Sequence, residues 1–337
     1  MRRFDRKLTV VALVCCGGAL LCGGLILFDE TTTAHSRRPT LTDIPINGQR
    51  AFGYLETICN FGRRPSGSAG MRKQQGFLIS HFTKLGAKKI EQQKWTIRHP
   101  VNGNPVDLVN LIVQWHPKRQ QRILLCAHYD TRPFPDQDTV NPRGVFIGAN
   151  DGASGVAVLC ELGHHLADLD TEYGVDFVFF DAEEFIFPQD RGEYFVGSIR
   201  FAERYRVQPP NYRYACAVLL DMVGDRDLQI YKEKNSWTWN DSRPLVQDIW
   251  NTARRLQIRD FRQRVGHEIR DDHLPLHNIA GIPACDIIDF DYPRRGRNYW
   301  HTSADTPDKC SPLSLAKVGW VVLEWLRNVD PNLLLKE

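Results

Sequence analysis

Residues 175–184, VDFVFFDAEE, constrain the fold more than any other stretch. Apart from Asp176, the first six residues are apolar and rich in β-branched and aromatic types. The polarity then switches abruptly at Asp181, Glu183 and Glu184. This pattern predicts a buried strand that ends in acid. Neighbours in an extended chain point to opposite sides. A turn after the strand would bring both glutamates to one cavity with different roles, one binding a metal and the other moving a proton.

The rest of the chain repeats the motif of a buried strand followed by a helix. Apolar runs predict strands at 90–97, 107–114, 122–128, 175–181, 214–221 and 282–288. Helical spacing predicts helices at 47–62, 70–85, 151–166, 195–206, 243–256 and 312–328. Alternation of this kind implies a three-layer α/β fold, a mixed and mostly parallel sheet with helices on both faces. In such sheets ligand sites form beyond the carboxyl ends of the strands. His128 and Asp130 fall at one such end, Asp181, Glu183 and Glu184 at the next, and Asp221 at a third. An acid at a strand end can also cap the following helix, but recurrence over several strands favours a shared site.

Other features bound the function classes. The net charge is +3, with no basic stripe of interleaved aromatics, which excludes a nucleic-acid surface. Arg2, Arg3, Arg6 and Lys7 precede an uncharged run over residues 8–28, long enough for a bilayer, which takes about 20 residues. Residues 1–28 therefore read as a signal-anchor or a signal peptide; the length of the run favours the uncleaved anchor. The catalytic part would lie outside the cytoplasm, membrane-anchored or, after cleavage, secreted. Residues 29–46 read as a linker and 47–337 as one catalytic domain, expected to be a monomer. Six cysteines follow the apolar run, an even count that permits disulfides in an exported chain. None forms a CxxC pair, and buried free thiols are the plainer reading.

Several residues carry chemistry. Asp151 sits in GANDGASG (148–155), whose glycines allow tight backbone geometry; a helix N-cap is the alternative role. His301 lies in YWHT (299–302). His128 alone would more often be structural. Asp271-Asp272-His273 reads equally well as a solvated loop or as part of a site. Together, two histidines and several carboxylates without cysteine suit zinc.

The ordered set HYD (128–130), GANDGASG, FFDAEE (179–184), LLD (219–221) and WHTSAD (300–305) resembles the zinc aminopeptidases of peptidase family M28 over residues 50–330. The branch it resembles most is the animal-type glutaminyl-peptide cyclotransferases, through RPSGS (64–68), VFIGA (145–149), PQD (188–190), GS (197–198) and above all DDHLP (271–275). The resemblance implies Asp151, Glu184 and His301 as ligands of one catalytic Zn2+, and Glu183 as general acid and base. It further implies Asp221 and Asp271 as hydrogen-bonded acids around Glu183, and Trp300 as an aromatic wall of the substrate pocket. Phe187 stands near where a pocket tryptophan is expected. His128 and Asp221 correspond to second-metal ligands, which the cyclases leave unfilled. The implied activity converts the N-terminal Gln of a peptide or protein to pyroglutamate with release of ammonia. The runner-up is a two-zinc aminopeptidase, and a third reading is an inactive peptide-binding ectodomain. Two features depart from the animal cyclases: GASG after Asp151 is closer to the aminopeptidase form, and Val156 removes the disulfide expected beside the site.

Overall fold

The computed structural model describes residues 38–294 and 296–330. The chain enters through helices α1 (Gly48–Cys59) and α2 (Ala69–Lys84). Asn47 and Ser68 cap them, their side chains accepting from the amides of Arg50 and Met71. Next come β1 (Lys89–Arg98), β2 (Pro105–Trp115), β3 (Gln121–His128), α3 (Ser154–Leu166) and β4 (Gly174–Phe180). A short hairpin, β5 (Glu184–Phe187) and β6 (Arg191–Tyr194), leads into α4 (Val196–Val207) and β7 (Arg213–Asp221). Then follow β8 (Ile230–Lys232), α5 (Lys234–Thr238), α6 (Arg243–Arg255), β9 (Phe261–Val265), α7 (His273–Asn278) and β10 (Ala284–Ile288). The two-residue strands β11 (Pro293–Arg294) and β12 (Arg297–Asn298) precede the last helix, α8 (Pro312–Asn328).

Six strands form the central sheet in the order β1-β2-β4-β3-β7-β10. The four from β4 to β10 are parallel; β2 runs antiparallel beside β4, and β1 pairs antiparallel with β2 at the edge. Alternate residues feed two cores. Val175, Phe177 and Phe179 of β4 pack with Ile123 and Leu125 of β3 against α1, α2, α3, α6 and α8. Val178 and Phe180, with Leu124 and Cys126, face Phe201 of α4 and Leu276 of α7. Burial on both faces explains the unbroken apolar runs. Each fully buried large side chain contributes about 1.5–3 kcal/mol, so the register of the central strands is strongly specified.

That register sets the site. His128 pairs with Phe180 in the β3–β4 ladder, and Cys126 with Leu219 in the β3–β7 ladder. The carboxyl ends of β3, β4 and β7 thus converge at one edge. Helix α3 lies close to it because Gly155 has no side chain: a Cβ there would sit 2.0 Å from the Leu220 carbonyl oxygen. All six predicted sheet strands and all six long helices are present. The linker reading of 29–46 needs a correction at its end: Ile44 and Ile46 are buried in the larger core, so packing begins before residue 47. The segment 1–28 lies outside the described residues. Among the described residues no helix is long and apolar enough to cross a membrane, and all six cysteines are buried and free.

Candidate active site

The turn after β4 is built by three residues. Ala182 adopts φ +58°, which ends the strand and separates the side chains of Glu183 and Glu184. Asp130 holds the turn from below: its two carboxylate oxygens accept the amides of Glu183 and Glu184, both at 3.1 Å. Asp181 faces away from the site, accepting from Ser66 Oγ at 2.7 Å and the Val109 amide at 2.8 Å. Its role is structural. Gly152, at φ +87°, lets the loop carrying Asp151 pass over the same region; a Cβ would lie 2.3 Å from the Asp130 carbonyl oxygen.

Asp151, Glu184 and His301 bring ligand atoms within 4.8 Å of one another, all buried. His301 Nε2 lies 2.6 Å from Glu184 Oε1 and 3.5 Å from Asp151 Oδ2. Around a tetrahedral zinc with bonds of 2.0–2.2 Å, donors stand about 3.3–3.6 Å apart; the His301–Asp151 separation falls in that range, while the His301–Glu184 contact is shorter, at hydrogen-bond length. Asp151 Oδ2 is buried with no hydrogen-bond partner, as a metal ligand requires. Asp151 is also free of capping work: the N-cap position of α3 is Ala153. His128 completes a second buried group with Asp151 and Asp221, its Nε2 3.2 Å from an oxygen of each. Asp151 thus faces one histidine with each oxygen, the arrangement of a bridging carboxylate.

Glu183 and Glu184 have opposite surroundings. Burial raises the Glu184 carboxyl, but His301 beside it and Arg132 nearby outweigh that and hold it at about 2. Burial works against a charged His301, yet Glu184 and Asp136 raise it to about 9. Glu183 is pushed well above the ordinary carboxylate range by burial, with the charges of Glu184, Asp271 and Asp272 adding to it and His128 opposing. Asp271 is raised in the same way, by burial and by Asp221 and Asp272. A carboxyl raised above the ordinary range binds a proton more readily, which suits a group that must both accept and donate one.

The sequence model of Peptidase family M28 matches residues 110–326. The chain belongs to peptidase family M28. Among solved structures it is similar to the glutaminyl cyclase of Fimbriiglobus ruber, with 39% identity, a TM-score of 0.78, and coverage of 86% of this chain and 99% of that one. It is also similar to a Zn-dependent exopeptidase from Parabacteroides distasonis, at 31% identity and a TM-score of 0.76, covering 84% of this chain and 98% of that one. A glutaminyl-peptide cyclotransferase from Gloydius blomhoffii is 26% identical over 64% of this chain, a match that spans 65% of the relative's own length.

Within this M28 fold the remaining residues singled out from sequence are placed as follows. Trp300 is half-buried, its ring 3.7 Å from that of His301 at 27°, and 5.2 Å from Phe290. Phe187 packs on His99 at 4.3 Å and lines a cavity of about 240 Å³ with Arg132, Phe134 and Asp136. Asp221 pairs with His128, and Asp271 Oδ1 accepts the Asp272 amide at 2.6 Å. Asp271 therefore acts on Glu183 through charge rather than through a direct hydrogen bond. Sequence reasoning missed Asp136, and it singled out Asp130 and quoted Asp305 without reading their roles. Asp130 holds the glutamate turn, Asp136 lies beside His301, and Asp305 accepts the amides of Asn150 and Asp151 at 2.8 and 3.1 Å. Asp305 stood within the WHTSAD motif; only its role was unread.

Proposed function

We propose that this M28 protein is a zinc-dependent glutaminyl-peptide cyclotransferase. The observation that carries the reading is the difference between two adjacent buried glutamates: Glu184 joins Asp151 and His301 in a fully buried ligand group, while Glu183, which also comes within ligand distance of His128 and Glu184, lies beside Asp271 and Asp272 with a raised carboxyl. The names of the Fimbriiglobus and Gloydius relatives support it. Bound between Asp151, Glu184 and His301, zinc would supply Lewis acidity toward the γ-carbonyl oxygen of an N-terminal Gln.

This chain's own residues supply the rest. Glu183 takes a proton from the α-amine as the new N–C bond forms. The same carboxyl delivers that proton to the departing side-chain nitrogen as its C–N bond breaks, so pyroglutamate and ammonia leave in balance. Asp271 and Asp272 keep Glu183 protonatable through that exchange. Trp300, flat against His301, offers a face for the planar Gln amide. Both reacting groups belong to one residue, and such preorganisation can supply about 7–11 kcal/mol of the barrier. As part of the same proposal, the enzyme acts as a monomer on exported peptides, tethered or secreted through its N-terminal segment.

A two-zinc aminopeptidase is the second reading, favoured by one observation: His128, Asp151 and Asp221 also converge. Product analysis separates them. Incubated with Gln-initiated peptides, the zinc-loaded protein should remove one ammonia and leave the chain length unchanged. Release of free N-terminal residues would replace the cyclase reading with the peptidase one.

A further inference from the structure

His301 is an awkward residue to use as a ligand. Its backbone sits at φ +55°, a left-handed conformation that a non-glycine residue holds only when its surroundings impose it. It also lies just after the two-residue strand β12 rather than at the end of a central-sheet strand. Three consecutive residues of a different loop, Asp136, Gln137 and Asp138, reach across to it. Asp136 Oδ1 lies 3.4 Å from His301 Nδ1. The Gln137 amide donates to the His301 carbonyl oxygen at 3.1 Å. Asp138 Oδ2 accepts the Ser303 amide at 3.0 Å and the Ser303 hydroxyl. The backbone and the following turn are thus held by hydrogen bonds, and the imidazole Nδ1, buried with no hydrogen-bond partner, faces the Asp136 carboxylate.

The clamp is itself anchored. Arg132 binds Asp136 with two parallel contacts, Nε to Oδ1 and a terminal nitrogen to Oδ2, both at 2.7 Å. The Arg132 backbone amide donates to Glu184 Oε2 at 2.8 Å, and its guanidinium lies over the Tyr194 ring. One loop therefore orients both His301 and Glu184. A histidine that presents Nε2 to a metal needs its Nδ1 hydrogen bonded to a fixed acceptor, which selects the tautomer and the ring angle. Asp136 is the carboxylate facing that nitrogen.

We infer that residues 136–138 form a clamp that positions His301 for zinc, with Asp136 as the orienting carboxylate and Asp138 as the lock on the turn. These are positioning residues: they touch the ligand, not the substrate. The inference rests on the proposed role of His301 as a zinc ligand, so the test must separate the two. Zinc affinity of the full chain, measured by competition with a chromophoric chelator, does so when paired with melting of the zinc-free proteins.

Asp136→Ala should weaken zinc binding about 10–100-fold, the range for outer partners of ligating histidines. Asp136→Asn, which keeps an acceptor oxygen, should recover most of that loss. Asp138→Ala should lose less than Asp136→Ala. Wild-type affinity in Asp136→Ala would overturn the clamp while leaving the zinc assignment intact. A drop in melting temperature with unchanged zinc affinity would make Asp136 merely structural and overturn it equally. Wild-type affinity in His301→Ala would instead remove His301 from the ligand set, and the clamp would fall with it.

Discussion

Strand β4 carries buried acid at both of its ends, and the two ends are handled differently. Asp176, at the start, sits among donors. Arg122 Nε lies 3.1 Å from both of its oxygens, the Tyr214 hydroxyl donates at 2.6 Å and Gln114 Nε2 at 3.3 Å. At the other end Glu183 faces Glu184, Asp271 and Asp272, with His128 as the countering charge. Two like charges 4 Å apart cost about 4 kcal/mol at an effective dielectric of 20. Nothing in the packing of β4 requires that cost. A fully paired buried acid anchors a sheet; an under-paired one is left able to take a proton or a cation. The difference distinguishes structural from functional acid more sharply than burial does, since all of these residues are buried.

The comparison can be broken at either end. Arg122→Met leaves Asp176 buried without its countercharge, with only the neutral donors Tyr214 and Gln114, and should cost about 3–5 kcal/mol in a urea melt. Zinc content in the folded fraction should not change; parallel loss of zinc would show that the two ends are not independent. At the functional end, the pH dependence of kcat/KM reports Glu183. A general base works deprotonated, so activity falls as pH drops through its folded pKa. That pKa lies well above the ordinary 4.5, so the acid limb should begin at higher pH than an ordinary glutamate gives. Asp272→Asn removes one repelling charge, lowers the Glu183 pKa and should move the limb to lower pH; a shift upward would contradict the account. The smallest effect is expected from Trp300→Ala. Loss of a stacking face worth about 0.5–1.5 kcal/mol should raise KM about 2- to 12-fold with zinc affinity unchanged.

Much of the fold was legible because the sheet is buried on both faces, which writes continuous apolar runs into the sequence. The β5–β6 hairpin was not, since each of its strands has only 4 residues and no periodicity to read. The same holds for α5 and α7, with 5 and 6 residues. Ile44 and Ile46 looked like linker because the surrounding prolines and threonines outweighed two isolated apolar positions. In the site, residue types and their place at strand ends were readable, and strand geometry required Glu183 and Glu184 to differ. Which glutamate does which came from family resemblance. The roles of Asp130, Asp136 and Asp305 could not be read at all. Each acts on residues 53, 165 or 155 positions away, separations that carry no local signal.

The central claim is that adjacent glutamates divide the work, and it is tested most directly by measuring bound zinc and turnover together in Glu183→Gln and Glu184→Gln. The account predicts that Glu183→Gln keeps its zinc and loses about 10²–10⁴-fold in turnover, as removal of a general base does, whereas Glu184→Gln loses zinc itself. Loss of zinc in Glu183→Gln with retention in Glu184→Gln would contradict it.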